Sequence, residues 1–445
     1  MNLQLQTTVY TDGTRQTTRQ SIPFAADEGR EHELINLYPD VTYQKFRGFG
    51  GAVTDSAAYM YAQLNTEQKK HLLDTYFKKD EMGYRYVRIP IDSCDFSLAH
   101  YEADGDENDA DFTKFSFDRV EQYILPMLRD AEKACGGKLE IMLAPWSPPA
   151  YMKTTGERNH GGKVKPEYYT RWAEYICRYI EEYKRRGFRV TMLTLQNEPK
   201  AVQTWDSCIW TAAEEHDYLR DYLHPALERH GLEEVKLYIW DHNKERAFEW
   251  AQTILDARTR PLIDGVALHW YSGDHFEALR MIRERFPEQH LITSEACIEF
   301  CVYGTGTTLF NAQKYAHDVI GNCNEGLDLF FDWNLLLNEE GGPNHVGNFC
   351  DAPFLYHRDT KTLTESPILA YLQHITAAAR PGAVRIGFTR YTDKLEVTAF
   401  REDNTVRCVL LNRTDETLPA YLRIGDTCAA VLCPPQSIAT AEVQL

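Results

Sequence analysis

The sequence predicts an α/β protein: a (β/α)8 TIM barrel with a small β-sandwich at its side. Strand-like apolar runs alternate with amphipathic helical stretches from about residue 46 to residue 376, which indicates a parallel sheet. Eight such runs can be counted, which is the number in a TIM barrel. From about Pro381 the pattern changes to short β-rich runs separated by turn residues, and this change favours a sandwich.

The barrel strands are recognised as apolar runs that end in polar or aromatic residues. They are predicted at residues 46–52, 84–91, 139–146, 190–199, 235–241, 265–271, 290–295 and 327–334. Helical stretches such as residues 166–186 and 212–230 lie between them, with apolar residues at helical spacing. Because active sites of such barrels lie at the C-terminal ends of the strands, we expect the polar strand ends to surround one site.

The two ends of the chain are expected to share the sandwich. Short β-rich runs at residues 395–400 and 406–411 belong to the C-terminal part. The first forty or so residues are rich in Thr and Gln and show no helical periodicity, so one or two further strands are predicted there. The predicted division is residues 1–45 for the N-terminal strands, 46–378 for the catalytic barrel and 379–445 for the C-terminal sandwich.

Charge and composition argue against several classes of protein. The formal net charge is −18 and no basic stripe offsets it, so nucleic acid is not expected as a partner. No stretch approaches the roughly 18 to 20 apolar residues of a membrane-spanning helix. The start of the sequence lacks the basic and apolar regions of a secretory signal, so a cytoplasmic protein is expected.

The cysteine and histidine patterns predict neither a metal nor a cofactor. The 11 cysteines are scattered and no C-x-x-C pair occurs, so they are interpreted as buried free thiols in a reducing compartment. The acidic stretch at residues 102–111 lacks the ligand spacing of an EF-hand. A metal-dependent hydrolase built on His269 is the weakest alternative, because no HExxH or paired-histidine spacing is present.

Two glutamates at strand ends point to chemistry. Asn197-Glu198-Pro199 ends one apolar strand and Glu295 ends a later one, although a single strand-end glutamate also fits an ordinary contact with a helix terminus or a lysine. Glycosidic bond cleavage needs such a pair: one carboxyl protonates the leaving oxygen and the other stabilises the anomeric carbon. In retaining enzymes the pair stands about 5 to 5.5 Å apart. An ionised Glu295 at that distance is expected to raise the pKa of Glu198.

Eight short blocks, in order, resemble those of a known family. They are Gly48-Phe-Gly-Gly-Ala-Val-Thr-Asp-Ser-Ala-Ala58, Ser93-Cys-Asp-Phe-Ser97, Ala144-Pro-Trp-Ser-Pro148, Asn197-Glu-Pro199, His269-Trp-Tyr271, Ser294-Glu-Ala-Cys297, Asp332-Trp-Asn334 and Gly341-Gly-Pro-Asn344. With them the sequence resembles glycoside hydrolase family 30, most nearly its acid β-glucosidase (glucosylceramidase) branch, over residues 46–412. The resemblance implies that Glu198 is the acid/base and Glu295 the nucleophile.

The resemblance also implies a set of sugar-binding residues. They are Asp55, Trp146, Asn197, Tyr271, Trp333 and Asn344. A carboxylate accepts bonds from adjacent hydroxyls, and tryptophans offer flat apolar faces to a sugar ring. Without the resemblance, Trp146, Trp333 and His269 would be interpreted as residues of the hydrophobic core. His269 shares a strand face with Tyr271, and the two are expected to orient the nucleophile.

The leading hypothesis is a retaining β-glycoside hydrolase that acts on β-D-glucosides from the non-reducing end. In the resembling proteins the position of Asn344 meets the 6-hydroxymethyl group, which favours glucose over xylose. The alternatives within the family are a β-1,6-glucanase and a β-xylosidase, and a non-catalytic sugar-binding protein is the alternative of another class. Two departures from the lysosomal proteins, the lack of cysteines before Cys94 and a different segment at residues 299–310, favour an intracellular bacterial-type enzyme and argue against ceramide as the aglycone.

Overall fold

A computed structural model describes all 445 residues, with 21 β-strands and 11 α-helices. The strands are β1 (Asn2–Thr11), β2 (Thr14–Pro23), β3 (Ala25–Ala26), β4 (Leu34–Lys45), β5 (Gly48–Ala52), β6 (Tyr86–Ile91), β7 (Glu140–Pro145), β8 (Val190–Thr194), β9 (Lys236–Asn243), β10 (Gly265–His269), β11 (His290–Glu295), β12 (Leu329–Asn334), β13 (Leu336–Asn338), β14 (Phe354–His357), β15 (Thr362–Glu365), β16 (Val384–Arg390), β17 (Leu395–Glu402), β18 (Thr405–Asn412), β19 (Leu418–Ile424), β20 (Thr427–Cys433) and β21 (Ser437–Gln444). The α-helices are α1 (Asp55–Gln63), α2 (Thr66–Phe77), α3 (Leu125–Cys135), α4 (Tyr169–Arg185), α5 (Ala212–Tyr218), α6 (His224–Arg229), α7 (Ala247–Ile254), α8 (Phe276–Arg285), α9 (Phe300–Tyr303), α10 (Leu309–Asn324) and α11 (Pro367–Ala378).

Strands β5 to β12 form a closed parallel barrel in chain order, with β12 paired to β5. Each of the eight predicted strands has its counterpart, so the predicted barrel is confirmed. The fourth strand, β8, ends at Thr194, earlier than the sequence predicts. Beyond Thr194 the chain no longer has regular strand geometry. The N–H of Asn197 still donates to the carbonyl of Pro145, the last residue of β7, but Glu198 adopts a positive φ of 48°.

The helices surround the barrel because each has one apolar side. In α4, for example, Trp172, Ile176, Tyr179 and Tyr183 recur at helical spacing and are buried, while charged residues occupy the opposite side. The main hydrophobic core fills the space between strands and helices. A separate apolar layer plugs the inside of the barrel: Met142, Met192, Tyr238, Ala267, Ile292, Leu329 and Phe331. The polar site lies above this plug, at the C-terminal mouth.

Of the remaining strands, β13, β14 and β15 form a small three-stranded sheet, and the other ten form one sheet that folds over its own core. Its order is β2-β1-β21-β18-β17-β16-β4-β19-β20-β3, so strands from both ends of the chain interleave. The sharing of the sandwich is confirmed, although the N-terminal residues supply four strands instead of one or two. The buried His374 of α11 joins this sheet to the barrel, because its two ring nitrogens lie 2.8 Å from the hydroxyls of Thr440 and Thr8.

All 11 cysteines are free thiols, and most of them are buried. No helix has both the length and the apolar character needed to cross a bilayer.

Gly50 of β5 is a point of close packing in the barrel wall. A Cβ there would lie 2.4 Å from the carbonyl oxygen of Tyr86 on the paired strand. We expect Gly50→Ala to lower the free energy of unfolding by about 1 to 3 kcal/mol, because the two strands must separate to admit the methyl group. Denaturant unfolding measures the change. Gly137→Ala is the control, since a Cβ there meets nothing within 4 Å. Unchanged stability of Gly50→Ala would contradict the packing described.

Candidate active site

Glu198 and Glu295 meet at the C-terminal mouth of the barrel. Glu295 is the last residue of β11, and Glu198 lies just beyond β8. The positive φ of Glu198 is uncommon outside glycine and is typical of functional positions. Together with His269 at the end of β10, the two glutamates place one donor atom each within 4.8 Å of one another. The strand ends therefore bring both predicted carboxyls to the same space.

Arg88 of β6 bonds to Glu295 and to Asn197, the neighbour of Glu198, and so links the two strand ends that carry the glutamates. Its guanidinium is completely buried and donates to Glu295 Oε2. The same group donates to Asn197 Oδ1 at 2.8 Å and to Asp241 Oδ2 at 2.9 Å. A buried guanidinium is stable only where carboxylates compensate its charge and accept its hydrogen bonds. Arg88 thus fixes the positions of Glu295 and Asn197 at once.

Asp241 and His269 complete a hydrogen-bonded chain to Glu198. His269 Nε2 lies 3.1 Å from Asp241 Oδ1, and its Nδ1 lies 3.1 Å from Glu198 Oε1. Although burial raises the pKa of Asp241, Arg88 and His269 hold that pKa well below its ordinary value. Burial lowers the pKa of His269, but the neighbouring carboxylates outweigh it and raise the pKa to about 9. His269 is therefore an imidazolium at neutral pH, with a proton on each nitrogen.

The protonation of the two glutamates differs from the expectation. Burial raises the pKa of Glu198, but His242 and His269 outweigh burial and bring the pKa below its ordinary value. The pKa of Glu295 is raised, mainly by burial, against the opposing effects of His269 and Arg88. The prediction that Glu295 raises the pKa of Glu198 is wrong in its net direction, because two imidazoles lie within 3.9 Å of Glu198.

Four more of the predicted residues line the pocket above the carboxyls. Trp146 and Trp333 stack on each other at 5.4 Å, and both also face the guanidinium of Arg88. Asn197 turns its oxygen to Arg88 and leaves its NH2 group for a ligand. The hydroxyl of Tyr271 donates to Glu295 Oε1 at 2.9 Å. The pocket encloses about 140 Å³.

Asp55 and Asn344, two predicted sugar-binding residues, lie outside this pocket. Asp55 is buried at the start of α1, where its Oδ2 accepts from the N–H of Leu98 at 3.0 Å and from Arg119 at 2.7 Å. Asn344 closes its own loop: its Oδ1 accepts from two backbone N–H groups, each at 3.1 Å. Both side chains bond to loop backbone, but Asp55 Oδ1 has no hydrogen-bond partner, so the assignment of these two residues as sugar contacts stays a prediction.

Asp95 and Asn348 occupy the pocket wall instead. Asn348 Nδ2 donates to Asp95 Oδ2 at 3.0 Å, so the two side chains form one polar edge. Burial raises the pKa of Asp95 to about 8, and the negative charge of Glu295 adds to the effect. Asp95 is therefore protonated at neutral pH and offers a donor as well as an acceptor. Both residues belong to sequence segments already singled out, Ser93-Cys-Asp-Phe-Ser97 and the loop that begins at Gly341.

Sequence reasoning also missed Arg88 and the role of Asp241. The signal for Arg88 is a single charged residue inside the buried apolar strand β6, where it has no solvent to face. Asp241 is the polar end of the predicted strand at residues 235–241, and nothing in the sequence alone assigns it a function. It sits in β9 with a positive φ of 52°, a second sign of a constrained functional position.

The catalytic-mouth residues Glu198, His269 and Glu295 form a group that could geometrically surround a metal ion. The chemistry of the group argues against this use. Arg88 already occupies Glu295 Oε2, and both ring nitrogens of His269 already face carboxylates, Nδ1 that of Glu198 and Nε2 that of Asp241. A metal-binding histidine must offer a free ring nitrogen, so these side chains fit an organic substrate better than a cation.

The sequence matches a known family over nearly its whole length. The family model described as the glycosyl hydrolase family 30 TIM-barrel domain matches residues 46–378, and the one described as the family's beta sandwich domain matches residues 382–441. The lysosomal acid glucosylceramidase of Mus musculus is 30% identical over 411 residues, which cover 88% of this chain and 79% of that protein. An endo-1,6-beta-D-glucanase of Neurospora crassa is 27% identical over 250 residues, covering 54% and 50% of the two chains.

Solved structures give the same result. The crystal structure of SrfJ from Salmonella typhimurium has a TM-score of 0.94 and 34% identity, and covers 100% of both chains. An endo-beta1,6-glucanase has a TM-score of 0.88 and 27% identity, covering 100% of this chain and 99% of that one. The barrel and the sandwich agree with these matches. The chain belongs to glycosyl hydrolase family 30 and is a glycoside hydrolase.

Proposed function

We propose that the chain is a retaining β-glycosidase that releases single β-D-glucosyl units, with Glu295 as nucleophile and Glu198 as acid/base. The observation that carries the proposal is the close approach of the two carboxyls: one oxygen of Glu198 lies within 4.8 Å of one oxygen of Glu295. An inverting enzyme needs about 6.5 to 9.5 Å to hold a water between its carboxyls, whereas a retaining enzyme needs about 5 to 5.5 Å.

The hydrogen bonds assign the two roles. Both oxygens of Glu295 are occupied, Oε2 by Arg88 and Oε1 by Tyr271, so this carboxyl is held as an oriented anion that attacks the anomeric carbon. Glu198 has its Oε1 beside His269, while its Oε2 is free to face the pocket. A carboxyl with one free oxygen can carry a proton and deliver it to the leaving oxygen.

The pKa shifts of the site without substrate run opposite to these roles, because they favour the proton on Glu295 over Glu198. When Glu198 gives up its proton it becomes a carboxylate beside the His269 imidazolium, which lowers its pKa and makes it a stronger acid. Glu295 loses its negative charge as the glycosyl bond forms, and its buried position favours the neutral ester. In the second step Glu198 takes a proton from water, which attacks the anomeric carbon and releases Glu295.

The size of the pocket supports release of single units. About 140 Å³ is well below the roughly 300 to 1,000 Å³ of sites for drug-sized ligands, so it suits one sugar ring. The polar edge of Asp95 and Asn348 provides bonding partners for hydroxyls, which favours a hexose over a pentose that lacks one. The second candidate is endo-β-1,6-glucanase activity, favoured by the similarity to solved and curated glucanases.

Product analysis tests the specificity. With a β-1,6-linked glucose oligomer, the proposal expects glucose to be the first product, because only one unit enters the pocket. An endo-glucanase would instead release a mixture of shorter oligomers from the start. Aryl β-glucoside and aryl β-xyloside are compared in parallel, and we expect kcat/KM to be higher for the glucoside. Early oligomer release or a preference for the xyloside would contradict the proposal.

Replacement of Glu198 separates its two roles. In Glu198→Ala, a dinitrophenyl β-glucoside should still glycosylate Glu295, because its leaving group needs no protonation, while an alkyl β-glucoside should be almost inert. The glycosyl-enzyme should then accumulate, and azide should release it as the β-glycosyl azide. Equal loss of rate on both substrates without azide rescue would show that Glu198 is not the acid/base. An α-azide would show inversion.

Variants of Asp95 test whether this residue contacts the sugar. We expect Asp95→Ala to cost about 1 to 3 kcal/mol in kcat/KM, because a sugar hydroxyl and Asn348 both lose a partner. Asp95→Asn should retain most activity at neutral pH, since the native side chain is protonated below a pKa of about 8. Asp318→Asn, which alters a buried carboxyl that pairs with Lys244 outside the pocket, controls for loss of stability. Full activity of Asp95→Ala would refute the assignment.

A further inference from the structure

His100, Asp206 and His345 converge beside the pocket although they lie far apart in the sequence. His100 follows β6, Asp206 lies in the segment between β8 and α5, and His345 lies between β13 and β14. One donor atom from each residue lies within 4.8 Å of the other two. No short sequence motif reveals this arrangement, because three separate loops supply one residue each.

Two of the converging atoms are buried and lack a hydrogen-bond partner. The carboxylate of Asp206 is completely buried; its Oδ1 accepts from Arg158 Nε at 2.7 Å, while its Oδ2 accepts no well-directed hydrogen bond. His345 Nδ1 lies 3.1 Å from the carbonyl oxygens of Asp95 and Ser97 and therefore carries the ring proton. Its Nε2 is then a bare lone pair, buried and unpartnered. Such atoms are costly unless something binds them.

The spacing of these donors fits a small tetrahedral cation. His100 Nδ1 lies 3.3 Å from Asp206 Oδ2, and the rings of His100 and His345 are 4.5 Å apart. Zinc bonds of about 2.0 to 2.1 Å place tetrahedral ligand atoms about 3.3 Å apart. Two imidazoles and one carboxylate form a ligand set that zinc accepts, with a fourth position for water.

The supporting contacts are those of a metal site. The carbonyl oxygens behind His345 fix its ring and tautomer, and Arg158 fixes Asp206, as outer partners of metal ligands commonly do. Arg158 is also within 3.5 Å of Asp92 and Glu102, so three carboxylates share this guanidinium. The nearby Lys153 binds backbone carbonyls and offsets one of these charges.

We propose that His100, Asp206 and His345 bind a Zn²⁺ ion that links three loops at the rim of the pocket. All three loops also carry pocket residues: Asp95 precedes His100, Trp205 precedes Asp206, and Asn348 follows His345. The ion would therefore hold Trp205 and Asn348 in place without touching the reacting atoms. Its expected effect is on substrate binding.

The test is Zn²⁺ titration of the full chain, freed of any polyhistidine tag and treated with chelator, by calorimetry and by thermal unfolding. We expect one Zn²⁺ per chain and a rise in Tm. His100→Ala should weaken Zn²⁺ binding at least about tenfold and abolish the rise. This histidine is largely exposed, so its loss should not prevent folding. His71→Ala is the matched control, because His71 is an exposed histidine that also contacts a carboxylate, Glu365.

Two further measurements sharpen the test. Co²⁺ in place of zinc should give the visible absorption of a tetrahedral site in the wild type and in His71→Ala, and lose it in His345→Ala. Removal of Zn²⁺ should raise KM for an aryl glucoside with little change in kcat. The proposal is overturned if Zn²⁺ does not bind, or if binding is equal in His100→Ala and the wild type. It is also overturned if Glu295→Gln abolishes binding, because the ion would then occupy the catalytic pair.

Discussion

The guanidinium of Arg88 is the group on which the active site depends. It is completely buried, and the barrel gives it Glu295 and Asp241 as counter-charges and Asn197 as a further acceptor. Removing one partner would leave an uncompensated charge in a dry interior, which is strongly destabilising. Since these partners sit on different strands, satisfying Arg88 also fixes the relative positions of the strand ends. The contacts that stabilise the buried Arg88 are therefore the same contacts that position the groups of the active site.

Charge balance then explains why the resting protonation is unexpected. The buried group contains three carboxylates, Glu198, Glu295 and Asp241, against the cations Arg88 and His269. One further proton makes the group neutral, and burial favours that neutral state. The two glutamates interact strongly, with the pKa of Glu295 raised and the pKa of Glu198 lowered. A substrate oxygen at Glu198 Oε2 would draw the proton to Glu198, the proposed acid.

The sequence predicts residues on barrel strands better than residues on loops. Strands, their order around the barrel and the two glutamates follow from apolar periodicity and strand-end polarity, because the backbone pattern alone positions them. Asp95 and Asn348 line the pocket from loops. From the sequence alone, another Asp or Asn such as Asp55 or Asn344 is equally plausible as a pocket residue, because the path of each loop is not known. Arg88 was overlooked because a charge within an apolar strand has meaning only once its partners on other strands are known.

This division between strands and loops also has a physical consequence. Glu198 and Glu295 stand at strand ends, which neighbouring strands hold rigidly, whereas the polar edge of Asp95 and Asn348 stands on loops. Loops open at lower free-energy cost than barrel strands, so this edge is more easily disturbed than the pair of glutamates. Asp55 and Asn344 counter this by bonding backbone N–H groups of the loops that carry Asp95 and Asn348. These two side chains therefore help to hold in place the loops that carry Asp95 and Asn348.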